Sequence, residues 1–521
     1  MAVAPRQGAF SAQGAVALLL VPLTALALVM GEGQLEVALA PILMAILGGA
    51  VLSLPLRHSI AAILLVAFTA DNPMEKPANG LWQSALYPIG RLLFVNLNKN
   101  VNISALAFSL LDALVIILLV LSWFRRSVRD PKERGGLPPV KPLSQLVFLA
   151  FATYLFLEVY GIVVRGGDFK NSLWQLRAPL FTPLICYLFI RAFRTPEDIK
   201  PLGTVLIVSS CAKALIGFYY FWFVARPMHF KPQYVTSHAD TMLYATSIGM
   251  MLSYWLETRS VRAIRLNLLV LPILLIGMIT NDRRLVFVSI FGGCLTMFLL
   301  MERKVRRRFI RYGLFASPLA VAYFIIGMNS RSMVFMPVQR IMSVATQEDR
   351  SSGTRDIENF NLIWTLKPRP IIGSGFGHEY NEIVVADSIA ALFPQYKYIA
   401  HNSVLWLWSL AGFVGFTGIW LFLAAAMYLL VRSYQRTSVP HYRVMAMTGI
   451  FALIAYQLQA WGDMGVQAWT GVLLLAGAVA TASRLSVAVG AWEVAQPVRA
   501  PAKTQRLALV PSVEPTKKPF T

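Results

Sequence analysis

The sequence predicts an all-α polytopic membrane protein of about 12–14 transmembrane helices, with one large loop on the side opposite the cytoplasm that contains short helices of its own. Three observations carry this. Of 521 residues, 57% are hydrophobic and 14% charged, with a mean hydropathy of +0.60, too little charge to clothe a soluble chain of this size. Apolar runs long enough to cross a hydrocarbon layer recur along most of the chain. The net charge of +22 is gathered into short basic clusters between those runs, a membrane-orientation pattern and not a nucleic-acid-binding face.

In order, the candidate spans lie near 13–30, 35–53, 58–70, 105–124, 144–164, 178–193, 201–224, 239–256, 266–280, 285–301, 312–328, 403–431, 444–461 and 466–483. The first run lacks a small-residue cleavage site and reads as a retained span. The stretches "FRRSVRDPKERGG", "ETRSVRAIR", "ERKVRRRFIR" and "RSYQRTSVPHYR" and the C-terminal tail then share one side. The excess of Lys and Arg assigns that side, and both termini, to the cytoplasm. Four segments follow: a helix bundle over 1–328, a large outer loop over 329–401, C-terminal spans over 402–483, and a basic Pro- and Ala-rich tail over 484–521 that reads as disordered. Such a tail is also drawn to anionic membrane lipid. Cys186, Cys211 and Cys294 lie inside apolar runs without ligand spacing. No internal repeat is visible.

The outer loop holds seven basic and seven acidic residues, and a structured connection of this length is usually functional. Thr354 reads as an N-cap, with Asp356 and Glu358 in the first turn. Ile357, Phe360 and Trp364 share a face at helical spacing, and Pro368 and Pro370 stop the helix, which reads as amphipathic and lying on the membrane surface. In "KPRPIIGSGFGHEYN", Gly373, Gly375 and Gly377 alternate as they would in a phosphate-cradling loop. The stretch lacks the buried strand before it and the Lys-Ser/Thr after it, and it lies outside the cytoplasm, so a nucleotide site is excluded. The glycines instead allow sharp turns and close approach of the chain.

The succession "TNDRR", "SGTRDIENFNLIW", "KPRPIIGSGFG" and "HNSVLWLWSLAG" resembles the O-antigen ligase and polymerase superfamily, specifically over about 280–420. The resemblance implies a fold like that of the GT-C membrane glycosyltransferases. It implies transfer of a glycan from undecaprenyl pyrophosphate to an acceptor hydroxyl, with inversion, on the periplasmic face of a bacterial inner membrane, without cofactor or metal. The acceptor it implies is a growing glycan, a lipid A core or a protein hydroxyl. "NDRR" stands where the family has a Ser-Arg pair, so either Arg283 or Arg284 aligns with the family arginine.

His401, at the mouth of a span, can take a proton from an acceptor hydroxyl, and the helix N-terminus there favours the neutral imidazole a base needs; the bland alternative is a capping histidine. Arginines suit a pyrophosphate leaving group because their planar forks bind its oxygens bidentately. Arg283, Arg177, Arg355 and Arg284 are the candidates, against interfacial snorkelling, with Arg369 and Arg165 in reserve. Asp168, Asp240, Asp282 and Asp463 are scattered, without a histidine in register, and read as solvated or salt-bridged. His229, His238 and His378 read as surface residues, and Tyr380, Tyr396, Tyr398 and Trp364 as interfacial aromatics or sugar platforms. A lipid-linked oligosaccharide flippase is the alternative from another class. It would carry charges within its bundle, whereas this chain is expected to keep them in loops. A non-catalytic subunit of an envelope polysaccharide machine would tolerate loss of both His401 and Arg283.

Overall fold

A computed structural model describes residues 54–70, 86–97, 108–127, 136–228, 235–330, 332–345, 350–385 and 395–493, with a few isolated positions before residue 54. The expected spans at 13–30 and 35–53, His229 and the tail beyond residue 493 lie outside the described residues. The helices run in the order α1 (Leu56–Thr69), α2 (Tyr87–Phe94), α3 (Leu110–Ser127), α4 (Lys141–Val159), α5 (Phe169–Ala192), α6 (Pro196–Tyr219), α7 (Asp240–Thr258), α8 (Val261–Asn281), α9 (Arg284–Leu300), α10 (Arg303–Asn329), α11 (Met336–Ala345), α12 (Arg350–Leu366), α13 (Ser403–Arg436), α14 (Pro440–Gly462) and α15 (Trp469–Ala488).

The chain is thus an all-α polytopic membrane protein, and every expected span from 58–70 onward has a helix in its place. Eight helices, α4, α5, α6, α8, α10, α13, α14 and α15, are long and apolar enough to cross a membrane, and α1, α3 and α9 are shorter apolar helices. The eight do not include α7, which is more polar and lies against α14, α8 and α9 in the middle of the bundle. Its first ten residues, Asp240 to Gly249, are all buried, so its neighbours and not lipid solvate its threonines and serines. At the other extreme, α10 buries none of its apolar window and stands at the periphery. The last helix runs to Ala488, beyond the expected boundary at 483. Arg484 is buried there, donating from Nε to Phe193 O at 2.9 Å and from its other nitrogens to the carbonyls of Ile190 and Leu137. The first two are carbonyls of the kind a helix leaves unsatisfied at its C-terminus, so Arg484 closes the end of α5.

The interruptions of two spans, α4 and α13, fit each other. Past Val159, α4 widens into a π turn over Tyr160–Val164, and α13 breaks at Gly412, where φ is 62°. A break within an apolar span must have its freed backbone groups re-satisfied from inside the protein. The glycine stretch does this. Phe413 N donates to Pro370 O at 2.8 Å, Val414 N to Ile371 O at 3.1 Å, Gly375 N to Leu410 O at 2.9 Å, and Phe376 N to Leu157 O at 3.3 Å. Gly412 lies about 14 Å along α13 from its start, so the loop dips into the bundle instead of staying above it.

Candidate active site

The site is assembled where α12 crosses the start of α13 and the end of α14. α12 begins at Arg350, four residues before the expected cap, so Thr354 is an interior helical residue and not the N-cap. Local sequence does make the helix amphipathic, but its outward face is the apolar one. Phe360, Ile363 and Trp364 are each more than 40% exposed, while Glu358, Asn361 and Leu362 are buried. The outward face suits a membrane surface; the inward, polar face faces the bundle.

Glu358, 6% exposed, receives the start of α13. His401 N donates to both carboxylate oxygens, at 3.2 and 3.1 Å, and His401 Nδ1 lies 3.3 Å from Glu358 Oε1. The next residue, Asn402, caps α13 by accepting from Leu405 N at 3.1 Å and donates from Nδ2 to Asn359 Oδ1 at 3.0 Å. With Nδ1–H directed at Glu358, the imidazole lone pair falls on Nε2, the arrangement of a carboxylate-oriented base. The hydrogen bond to Glu358 raises the His401 pKa above the usual histidine value, against partial burial and the nearby charge of Arg355. The expected effect of the helix N-terminus, favouring neutral imidazole, is therefore outweighed by a buried carboxylate at hydrogen-bond distance.

A second chain of polar groups stands opposite. Asn281, fully buried at the end of α8, donates from Nδ2 to Thr236 Oγ1 at 2.7 Å and to Ser237 O at 3.0 Å, which fixes the stretch carrying His238. Asp282 takes the left-handed region at φ 52°, one of the few conformations where an aspartate replaces glycine, and turns the chain so that Arg283 heads α9. Arg283 Nη2 meets His238 Nε2, and His238 Nδ1 lies 2.8 Å from Asp463 Oδ2, at the end of α14. An arginine only donates, so His238 accepts at Nε2 and donates from Nδ1. Burial alone would raise Asp463, yet the His238 hydrogen bond, the charge of Arg355 and the Met464 N–H hold its carboxyl well below the usual range. His238, expected as a surface residue, is thus half-buried and bonded, and Asp463 has the histidine partner its sequence neighbours lack. Arg355, Asp356, Asn359, Asn402, Trp461 and Gly462 line a half-open cleft of about 170 Å³ beside these groups. That is below the range of sites that enclose a drug-sized ligand, so the cleft can grip only one end of a larger one.

The other sequence candidates divide. Arg355 joins the site: its charge acts on both His401 and Asp463. Arg283 reaches it through His238, and Arg284, the first residue of α9, is its chain neighbour. Arg177 is held elsewhere, donating to Asn96 at 2.5 Å and to Asp112, a 3%-exposed acid on α3. Gly373, Gly375 and Gly377 lie where the loop runs against helix backbones. A Cβ on Gly373 would lie 2.3 Å from Leu410 O, and one on Gly375 2.4 Å from Gly161 Cα. Gly375 and Gly377 have φ of +77° and +85°. Gln175 clamps the same loop at three points, accepting from Gly377 N at 2.5 Å and donating to His378 O at 3.0 Å and Tyr398 O at 2.7 Å. Asp168 caps α5, and Asp240 pairs with Lys213. Lys213 and Asp240 are 2% and 0% exposed, so the expectation that charges stay in loops fails at this pair.

Glu358 is the functional candidate that local sequence presents only as a helix-start acid. A signal for it does exist: Arg355, Glu358 and Asn359 recur at helical spacing, a polar stripe opposite the apolar one. His238 and Asp463 carry no comparable signal. Among the described residues, no three metal-ligating side chains converge. Residues 268–420 match the family model described as O-antigen ligase, a segment that includes Arg283, Arg355, Glu358, the three glycines and His401. A search of curated proteins found no match.

Proposed function

We propose, from the match of residues 268–420 to the O-antigen ligase family model, that the chain is a membrane glycosyltransferase of that superfamily and catalyses the following reaction. The donor is a glycan on undecaprenyl pyrophosphate, and the acceptor is a hydroxyl presented at the periplasmic face of the bacterial inner membrane. The acceptor oxygen attacks the anomeric carbon as its proton passes to His401 Nε2. The bond from that carbon to the pyrophosphate oxygen breaks, and the pyrophosphate leaves with the electron pair. One displacement inverts the anomeric centre. Glu358 orients His401 and stabilises the imidazolium that forms. Arg355 and Arg283, with Arg284 beside it, meet the growing charge on the leaving group, a role that requires no metal. Arg177 serves the fold.

The observation that carries this reading is the buried Glu358 carboxylate on His401 Nδ1, beside a cleft that also contains Arg355. The Lys213–Asp240 pair removes one argument against a flippase, since charge does occur inside the bundle. The dyad at the mouth of α13 still favours chemistry there. The test is to size undecaprenyl-linked glycans extracted from cells lacking the protein. Single repeat units accumulating on the carrier identify a polymerase. Full-length chains stranded on it identify a ligase or a protein O-oligosaccharyltransferase, and the missing conjugate separates those two. An unchanged carrier pool overturns the proposal.

A further inference from the structure

A second cavity, of about 440 Å³, lies between α1, α6, α7, α14 and α15. It is at the opposite end of the bundle from His401. Its rim is formed by Lys200, Arg262 and His441, each within the first turns of α6, α8 and α14. His401 instead lies where α14 ends and α13 begins. Three basic side chains and the N-termini of α6, α8 and α14 thus converge on one opening; the ends of α8 and α14 hold no acid in their first turns and add partial positive charge, whereas that of α6 bears Glu197 and Asp198. Compensation is thin. Lys200 lies 3.5 Å from Glu197 with both side chains about half exposed, and Arg262, exposed, makes no hydrogen bond or ion pair among the described residues. His441 stacks on Tyr254, with ring centroids 6.1 Å apart.

Behind the rim the lining is mainly apolar, with Leu206, Met250, Val444 and Leu474 among its walls and Thr204, Thr246, Thr448 and Thr481 set between them, of which Thr448 and Thr481 donate to carbonyls of their own helices. Gly477 keeps the slot open. A Cβ on Gly477 would meet nothing closer than Leu202 Cδ1 at 4.0 Å. A mainly apolar slot of this volume under a cationic rim suits neither a sugar, whose many hydroxyls outnumber the few polar groups of its walls, nor a neutral hydrocarbon, which would leave the cations unused. It matches an amphiphile with a negative head. We propose that the cavity binds an anionic glycerophospholipid, with its phosphate on Arg262 and Lys200 and an acyl chain in the slot between α6, α7 and α15. Basic pockets between spans on the membrane side that attracts positive loops recognise such headgroups. The site is separate from glycan transfer and stands whether or not that reading holds.

The test uses the full chain purified in mild detergent. Bound lipid is extracted and identified by mass spectrometry, and the delipidated protein is titrated with phosphatidylglycerol or phosphatidylcholine while its melting temperature is followed. The expected result is retained anionic phospholipid, and stabilisation by phosphatidylglycerol at concentrations where phosphatidylcholine does nothing. The double variant Lys200→Gln, Arg262→Gln should need roughly tenfold more phosphatidylglycerol for the same shift. Gly477→Leu, which fills the slot and leaves the rim intact, should lose the retained lipid while melting no lower than the delipidated wild type. Equal retention by all three proteins overturns the proposal, as does equal response to both lipids. Recovery of a polyprenyl phosphate, or of no lipid, from the wild type also overturns it.

Discussion

At the scale of single residues, Glu358 and His401 form one unit. The carboxylate raises the His401 pKa, so the neutral, proton-accepting form appears only above the ordinary histidine value. Transfer by the wild type should therefore rise with pH along a limb whose midpoint lies above 6.5. Glu358→Gln removes the largest raising influence, so the limb should move to lower pH while the plateau rate falls. His401→Ala should abolish the limb and cut transfer by about 10²–10⁴-fold. A reconstituted transfer assay across pH reads both, and an unshifted limb in Glu358→Gln would sink the dyad. Arg177 predicts the opposite phenotype. Its partner Asp112 is almost fully buried, so Arg177→Ala leaves an uncompensated acid and should cost about 3 kcal/mol of stability. The surviving folded fraction should keep its specific activity, measurable as turnover per correctly folded molecule after size-exclusion chromatography.

Between elements, the glycine stretch matters for what it lies against. It plugs the break in α13 and the widened end of α4, exchanging hydrogen bonds with both helix backbones. Gly375→Ala would combine a left-handed φ with a Cβ 2.4 Å from the Gly161 backbone, and no flexible side-chain end can yield there. The loop should leave its seat, and the start of α13 with His401 should move with it, so transfer falls sharply even where the helices persist. Gly353 provides the control. It sits in α12, and a Cβ added there would meet nothing within 4 Å, so Gly353→Ala should be neutral or stabilise by about 0.5–1 kcal/mol. Comparing transfer and melting temperature of the two variants separates loss of a seat from loss of flexibility, because the second explanation predicts that both variants lose activity.

Across the whole molecule, the Lys213–Asp240 pair ties α6 to α7, and Lys213 Nζ also donates to Ala70 O at 3.2 Å, just past α1. Breaking one partner leaves a buried charge, whereas replacing both with apolar residues of similar size is often neutral. Asp240→Asn should therefore destabilise by about 3–5 kcal/mol. The pair Lys213→Met, Asp240→Leu should restore most of the melting temperature and retain glycan transfer. Loss of transfer in a well-folded double variant would mean that the pair carries a proton or substrate, the behaviour of a transporter.

Sequence alone determined the elements. A span must be apolar along its length and its basic ends must stay on one side, so runs such as 444–461 and 466–483 announce α14 and α15 directly. The order of "TNDRR", "SGTRDIENFNLIW", "KPRPIIGSGFG" and "HNSVLWLWSLAG" also singles out His401, Arg283 and Arg355 within the one segment that matches the O-antigen ligase family. Tertiary structure decided which of those residues meet, and what else meets them. Glu358 with His401, and Arg283 with His238 and Asp463, form two hydrogen-bonded sets from chain segments up to 225 residues apart, which no local pattern encodes. It also decided that Arg177 belongs to Asp112, and that the polar side of α12 faces inward while its apolar side faces out. The physical reason is one of range. Hydropathy and helical period act over a few turns of one segment, whereas a buried polar group must find its partner wherever packing brings one within about 3 Å.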